Sequence, residues 1–128
     1  MRALLDTHVF LWWILDDPRL SPAARDAIGD PANTIFFSAV SAWELAIKVG
    51  LGRLTLVDDL AVFVRDQLRQ NRFTVLPLTL DHALRVQDLP DVHHDPFDRA
   101  LVAQAQVDQL TLITRDANIR RYPVRVLW

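Results

Sequence analysis

A chain of 128 residues, 51% apolar and 23% charged, suffices for one domain with a sizeable core and is not the composition of a disordered segment. It has no cysteine, which excludes a disulfide framework and thiolate metal sites and suits a reducing cytoplasm. Its net charge of −2 excludes a global attraction to nucleic acid or membrane, so contact with either needs a local basic patch or a bound cation.

Arg2 to Leu5 is a short apolar strand. The apolar start resembles a signal peptide, but Asp6 and His8 interrupt it and no small-residue cleavage site follows. Val9 to Leu15 is a nearly all-apolar helix, far too short to span a bilayer, and Pro18 ends it. Ser21-Pro22 opens a short helix with Ser as cap and Pro at its first position. Gly29, Pro31 and Asn33 form a turn, and the β-branched and aromatic Thr34 to Phe37 a strand. A helix runs from Ser38 or Ser41 to Val49, where Gly50 and Gly52 stop it.

Asp58 to Gln70 is a helix with Leu60, Phe63, Val64 and Leu68 roughly on one face. Phe73 to Leu76 is a strand, Asp81 to Asp88 a helix closed by Pro90, and Asp95 to Val107 a further helix. Leu110 to Thr114 and Val124 to Trp128 complete the set as strands. Alternating strands and helices predict one α/β domain over residues 1–128, a parallel sheet of about five strands with helices on both faces.

The acids are lopsided: fifteen Asp against a single Glu, Glu44. Most of these Asp fall at turns and helix starts. Four stand apart by position. Asp6 follows the first strand, Asp116 follows Leu-Thr-Leu-Ile-Thr, Glu44 lies early in the helix after the second strand, and Asp98 opens the helix before residues 110–114. In an open parallel sheet the strand C-termini form one rim, where ligands bind. Asp6, Glu44 and Asp116 map to that rim, and Asp98 joins them if its helix begins there.

Each acid also has a structural reading. Ser41-Ala42-Trp43-Glu44 has the spacing of a capping box, and Glu44 and Lys48 form an i, i+4 pair. Asp95 suits a helix cap with Pro96 after it, which leaves Asp98 favourable for the helix dipole. Asp6 suits a cap and Asp116 a turn. Convergence of all four has a physical consequence, since two carboxylates about 5 Å apart repel by roughly 3 kcal/mol at an effective dielectric near 20. Such a cluster raises its pKa values or binds a cation, and an all-oxygen donor set favours Mg²⁺ or Mn²⁺.

Four blocks, LLDTH (4–8), SAWELAIK (41–48), DPFDRALVAQA (95–105) and LITRD (112–116), together resemble the PIN-domain ribonucleases, within them the VapC-type toxins of bacterial toxin–antitoxin pairs. The resemblance covers essentially the whole chain. It implies a cytoplasmic endoribonuclease dependent on one or two Mg²⁺ or Mn²⁺ ions, held by Asp6, Glu44, Asp98 and Asp116. It selects Asp98 over Asp95, leaving Asp95 as the cap beside the metal. It also implies in-line attack on the scissile phosphate by an activated water, leaving a 5′-phosphate and a 3′-hydroxyl. A homodimer and a VapB-like antitoxin laid over the acidic site are its implied partners.

Thr7, Ser38 and Thr114 are hydroxyls beside the acids, suited either to holding ligands or to local backbone bonds. His8, Arg99 and Arg115 adjoin proposed ligands and are candidate RNA contacts, with ordinary structural roles as the alternative. His93 and His94 lack the i, i+4 spacing of a zinc pair. Trp12 and Trp13 point about 100° apart on a helix, so one of them is a candidate for an interface rather than the core. A receiver domain would want a carboxylate pair by the first strand and a late lysine, and a haloacid-dehalogenase-type phosphatase would want D-x-D where this chain has Asp6-Thr7-His8. The remaining rival is a catalytically silent PIN fold that works by binding RNA or protein.

Overall fold

The computed structural model describes residues 1–128. Its element order is β1 (Arg2–Leu5), α1 (Thr7–Ile14), α2 (Pro22–Gly29), β2 (Thr34–Ser38), α3 (Ala39–Gly50), α4 (Leu60–Asn71), β3 (Thr74–Leu76), α5 (Leu80–Arg85), α6 (Pro96–Asp108), β4 (Thr111–Ile113) and β5 (Val126–Leu127). Single 3₁₀ turns occupy Val86–Asp88 and Ile119–Arg121. The five strands pair in parallel in the order β3-β2-β1-β4-β5. No helix is long and apolar enough to cross a membrane.

Burial on both faces explains why Ala3 to Leu5 of β1 read as an unbroken apolar run. Ala3 and Leu5 join a cluster with Val9, Phe10, Phe37, Leu45, Val64 and Ile113. Leu4, one residue out of phase, joins the opposite cluster with Leu101, Val102, Leu112, Ile119 and Tyr122. Phe10 and Phe37 meet with ring centroids 4.4 Å apart, which fixes α1 against β2.

Several boundaries differ from the sequence reading because side chains decide helix starts. Ser38, in extended conformation, caps α3 by accepting from Val40 N–H at 2.9 Å. Ser41 therefore lies inside the helix, and the expected Ser41–Glu44 capping box does not form. Its hydroxyl instead accepts from Thr7 Oγ1 at 2.9 Å, tying α3 to the start of α1. Asp59 rather than Asp58 caps α4. α5 starts at Leu80 because Thr79 and His82 form a reciprocal capping box. With Thr79 N–H donating to His82 Nδ1, the ring carries its proton on Nε2 and donates it to Asp108 at 3.2 Å.

The topology also selects an edge. The chain moves outward from β1 to β2 and β3, then crosses back to lay β4 on the other side of β1. The reversal between β1 and β4 opens a crevice beyond their C-terminal ends, where α/β folds bind ligands.

Candidate metal and nucleic-acid site

Asp6 and Thr114 lie at this crevice, immediately after β1 and β4, whose register pairs Leu5 with Ile113. Asp6 N–H donates to Ile113 carbonyl at 3.1 Å, continuing the ladder. Asp6 occupies the cap position of α1, yet its carboxylate makes no capping bond to that helix. It accepts from Thr114 Oγ1 at 2.7 Å instead. The same hydroxyl oxygen accepts from Asp116 N–H at 3.0 Å, so one threonine sets two of the four acids. Asp116 is half-buried, with one carboxylate oxygen taken by Asn118 N–H at 2.8 Å.

Because α3 begins at Ala39, Glu44 falls in its second turn, buried, with Lys48 Nζ 3.1 Å from Oε2. Asp95 caps α6 by accepting from both Phe97 and Asp98 N–H. Asp98 thus sits in the first turn of α6, its side chain 14% exposed, 3.2 Å from His93 Nε2.

The four acids act on one another through their charges. Burial holds the Asp6 carboxyl above its ordinary value; the Thr114 bond and His8 oppose this, and Glu44 adds to it. Asp98 is pushed up to about 8, first by burial and then by the charges of Asp6, Asp95, Asp116 and Glu44. Charges from four separate segments therefore act on the Asp98 carboxyl, and a divalent cation would relieve them. The ligand atoms that lie within 4.8 Å of one another are those of His93, Asp95 and Asp98, a group that shares only Asp98 with the four acids and offers two carboxylates and an imidazole. The oxygens of the four acids fit a hard divalent ion such as Mg²⁺ or Mn²⁺.

Residues 3–125 match the PIN domain family. The chain belongs to that family. Over 120 residues, 93% of this chain and 90% of the relative, it is 33% identical to Ribonuclease VapC22 of Mycobacterium tuberculosis (strain ATCC 25618 / H37Rv). It is 41% identical to Ribonuclease VapC16 of the same organism over 70 residues, 52% of this chain and 48% of that protein. Among solved structures this PIN domain resembles VapBC2 from Rickettsia felis bound to a promoter DNA fragment, with a TM-score of 0.75 at 16% identity, covering 99% of this chain and 98% of that one. DNA-bound VapBC from Salmonella typhimurium gives 0.72 at 16% identity, covering 99% and 97%. At these identities the structures establish a shared fold.

The other sequence candidates separate clearly. Thr114 holds Asp6 directly. Thr7 bonds Ser41, and Ser38 donates to Gln104 Oε1 at 2.6 Å, so these two hydroxyls brace helices rather than acids. The buried Gln104, unremarked in the sequence, also reaches Pro77 carbonyl and so links α6 to the ends of β2 and β3. His8 and Arg115 line a pocket of about 340 Å³ with Asp6, Trp12, Arg19 and Asp116. Trp13 donates its Nε1 to Asn71, and Trp43 stands 58% exposed with its ring against Phe97.

Arg99 departs most from expectation. Its guanidinium donates to the carbonyls of Val86, Pro90 and His93 and to Tyr122 Oη, rather than facing a phosphate. Tyr122 Oη in turn donates to His93 carbonyl at 3.0 Å. Arg99 therefore fixes the loop that presents His93. Arg99→Ala is expected to lower stability in chemical denaturation by roughly 2 kcal/mol, the scale of lost charge-assisted hydrogen bonds. A variant of unchanged stability with a raised KM for RNA would instead return Arg99 to phosphate binding.

Proposed function

We propose that this PIN domain is a divalent-metal-dependent endoribonuclease, acting in the cytoplasm as the toxin of a VapBC-type pair. The observation that carries the reading is the crevice at the ends of β1 and β4, where Thr114 donates to the Asp6 carboxylate at 2.7 Å and accepts from Asp116 N–H at 3.0 Å, and where the charges of both acids reach Asp98. The names of its Mycobacterium tuberculosis relatives support RNA as the substrate. The VapBC assemblies that share its fold support an antitoxin partner. An exposed apolar groove of about 370 Å³ between α3 and α4, lined by Phe37, Ala42, Leu60, Val64 and Leu68 among others, suits such a protein partner. A homodimer is part of the same reading.

Asp6, Glu44, Asp98 and Asp116 would hold Mg²⁺ or Mn²⁺, one or two ions per site. When bound, the metal supplies Lewis acidity toward a water and the scissile phosphate and offsets their charge. The chain's own residues prepare that chemistry. Thr114 fixes the Asp6 carboxylate and the backbone of Asp116, and Lys48 balances Glu44. Asp95 and the dipole of α6 orient Asp98, which near neutral pH keeps a proton that metal loading must displace. Asp116, the half-exposed acid with one oxygen free of protein donors, is placed to accept from an attacking water. Such hydrolysis would leave a 5′-phosphate and a 3′-hydroxyl.

The test is cleavage of mixed cellular RNA by wild type and Asp6→Asn, with Mg²⁺, Mn²⁺ or chelator. Cleavage confined to the metal-loaded wild type supports the reading. Activity that survives both the substitution and the chelator rejects the metal mechanism, and no cleavage of any RNA favours the silent binding module. Sequencing 5′ ends after brief expression would identify the RNA that is cut.

A further inference from the structure

His93 and His94 are neighbours in the chain but face different surroundings. The His94 side chain is 90% exposed and pairs with Asp91 in solvent. The His93 side chain is 28% exposed, turns inward and sets Nε2 3.2 Å from Asp98 Oδ2. A frame outside the cluster fixes it there. Arg99 and the buried Tyr122 both donate to the His93 carbonyl, and Arg99 ties the same loop at Val86 and Pro90. Asp95 accepts both of its helix-capping bonds on Oδ1, so its Oδ2 has no donor from the protein. Ligand atoms of His93, Asp95 and Asp98 thus lie within 4.8 Å of one another. Ligands on a tetrahedral ion with bonds near 2.1 Å stand roughly 3.4 Å apart, so the pair at 3.2 Å already has that spacing and a small rotation of Asp95 completes the set. A histidine–carboxylate hydrogen bond alone would not need a second carboxylate beside it. Whatever the charge on the imidazole, two carboxylates leave the group negative, which a divalent ion offsets.

We propose that His93, Asp95 and Asp98 form a binding site for a zinc-class divalent ion, separate from the place of the four acids. Imidazole suits Zn²⁺, whereas Mg²⁺ takes oxygen ligands in near-octahedral geometry. Three protein ligands leave a fourth position for water, as in zinc sites that stay open. The ligands follow one another as His-x-Asp-x-x-Asp, across the turn that enters α6. No single helix face carries that spacing. The loop folded back by Arg99 brings the imidazole over the first turn of the helix, where Asp95 and Asp98 already stand. Asp98 is common to this site and to the proposed nuclease site, but zinc binding here does not require the chain to cleave RNA.

The test titrates Zn²⁺, and separately Mg²⁺, into the metal-free protein against a chelating indicator, and follows the imidazole nitrogens by NMR. With Zn²⁺ the His93 nitrogens should shift, while those of His8, His82 and His94 stay in place. His93→Gln keeps the backbone carbonyl that Arg99 and Tyr122 hold. It should weaken Zn²⁺ about a hundredfold, since even groups that only orient a ligand cost about 10- to 100-fold. Its Mg²⁺ affinity should stay within about threefold, because Mg²⁺ makes little use of imidazole. Asp95→Asn retains a capping oxygen, loses the charge, and should weaken Zn²⁺ about tenfold. His94→Gln and Asp6→Asn should bind Zn²⁺ nearly as tightly as wild type. Unshifted His93 nitrogens in Zn²⁺-saturated wild type overturn the proposal, as does unchanged Zn²⁺ affinity in both His93→Gln and Asp95→Asn. So does an equal loss in Asp6→Asn, which would put the ion among the four acids. If Zn²⁺ binding follows His93 and Asp95 while wild type cleaves no RNA with any metal, the zinc site stands and the nuclease reading fails.

Discussion

Asp98→Asn should make the metal-free protein more stable and at the same time remove its RNA cleavage. The two effects have one cause. The carboxyl is held at about 8 in the folded chain against an ordinary value of 3.8. A folded-state pKa above the unfolded one means that the native state binds more protons between those values, so stability falls as pH rises. The loss begins above the unfolded value near 4 and is complete once pH passes the folded value near 8. Full conversion of this shift would give about 6 kcal/mol, and solvent and relaxation of neighbouring charges reduce it, so roughly 2 kcal/mol is expected. Asn keeps the shape and cannot ionise.

In chelator, wild type and Asp98→Asn should therefore have nearly equal stability below pH 4 and diverge by that amount toward pH 8. Mg²⁺ or Mn²⁺ at about a hundred times its dissociation constant should add roughly 2.7 kcal/mol to wild type, and much less to the variant. Cleavage should fall on the order of a thousandfold in Asp98→Asn, the scale of losing one preorganised electrostatic contact to the reacting groups. Denaturation curves from pH 4 to 9, with and without metal, check the first part. A difference between the two proteins that stays flat with pH would dissociate Asp98 from the acid cluster.

Thr114→Val is the second large effect, and it acts through other residues. Thr114 Oγ1 donates to Asp6 at 2.7 Å and accepts from Asp116 N–H at 3.0 Å. Valine keeps the volume and loses both bonds. The bond from Thr114 opposes the rise of the Asp6 pKa, so without it Asp6 ionises at higher pH. The acid limb of the cleavage profile should move to higher pH, and kcat/KM at neutral pH should fall about 10- to 100-fold, as for other groups that orient metal ligands. Thr114→Ser restores the hydroxyl and should recover activity to within about threefold. A loss of stability with an unmoved pH profile would assign Thr114 to packing alone.

Much of this architecture is local and therefore legible in the chain. β-branched and aromatic runs, Ser21-Pro22 and the Asp95-Pro96 helix start report their own conformation, because capping and φ preference act within a few residues. The parallel order follows from alternation, and it sends the residues after β1, β2 and β4 to one edge. Asp6, Glu44 and Asp116 could be placed together on that ground, and Asp98 through the direction of α6.

The rest depended on distances between segments that no spacing encodes. Ser38 and Ser41 are both eligible to start α3; Ser38 caps it, and the Ser41 hydroxyl inside the helix is engaged by Thr7, 34 residues earlier. Arg99 resembled a phosphate ligand by adjacency to Asp98, yet the carbonyls of a folded-back loop take its guanidinium. The contact of Thr114 with Asp6 spans 108 residues. Trp12, Arg19 and Arg115 come together only because β1 and β4 are neighbours and α1 leaves the edge between them. Sequence alone thus determined which elements form and which strand ends share an edge, since backbone periodicity and capping are short-ranged. The tertiary structure decided which side chains hold one another, which face the ligand, and how far burial raises Asp98, because desolvation and charge coupling are properties of the assembled site.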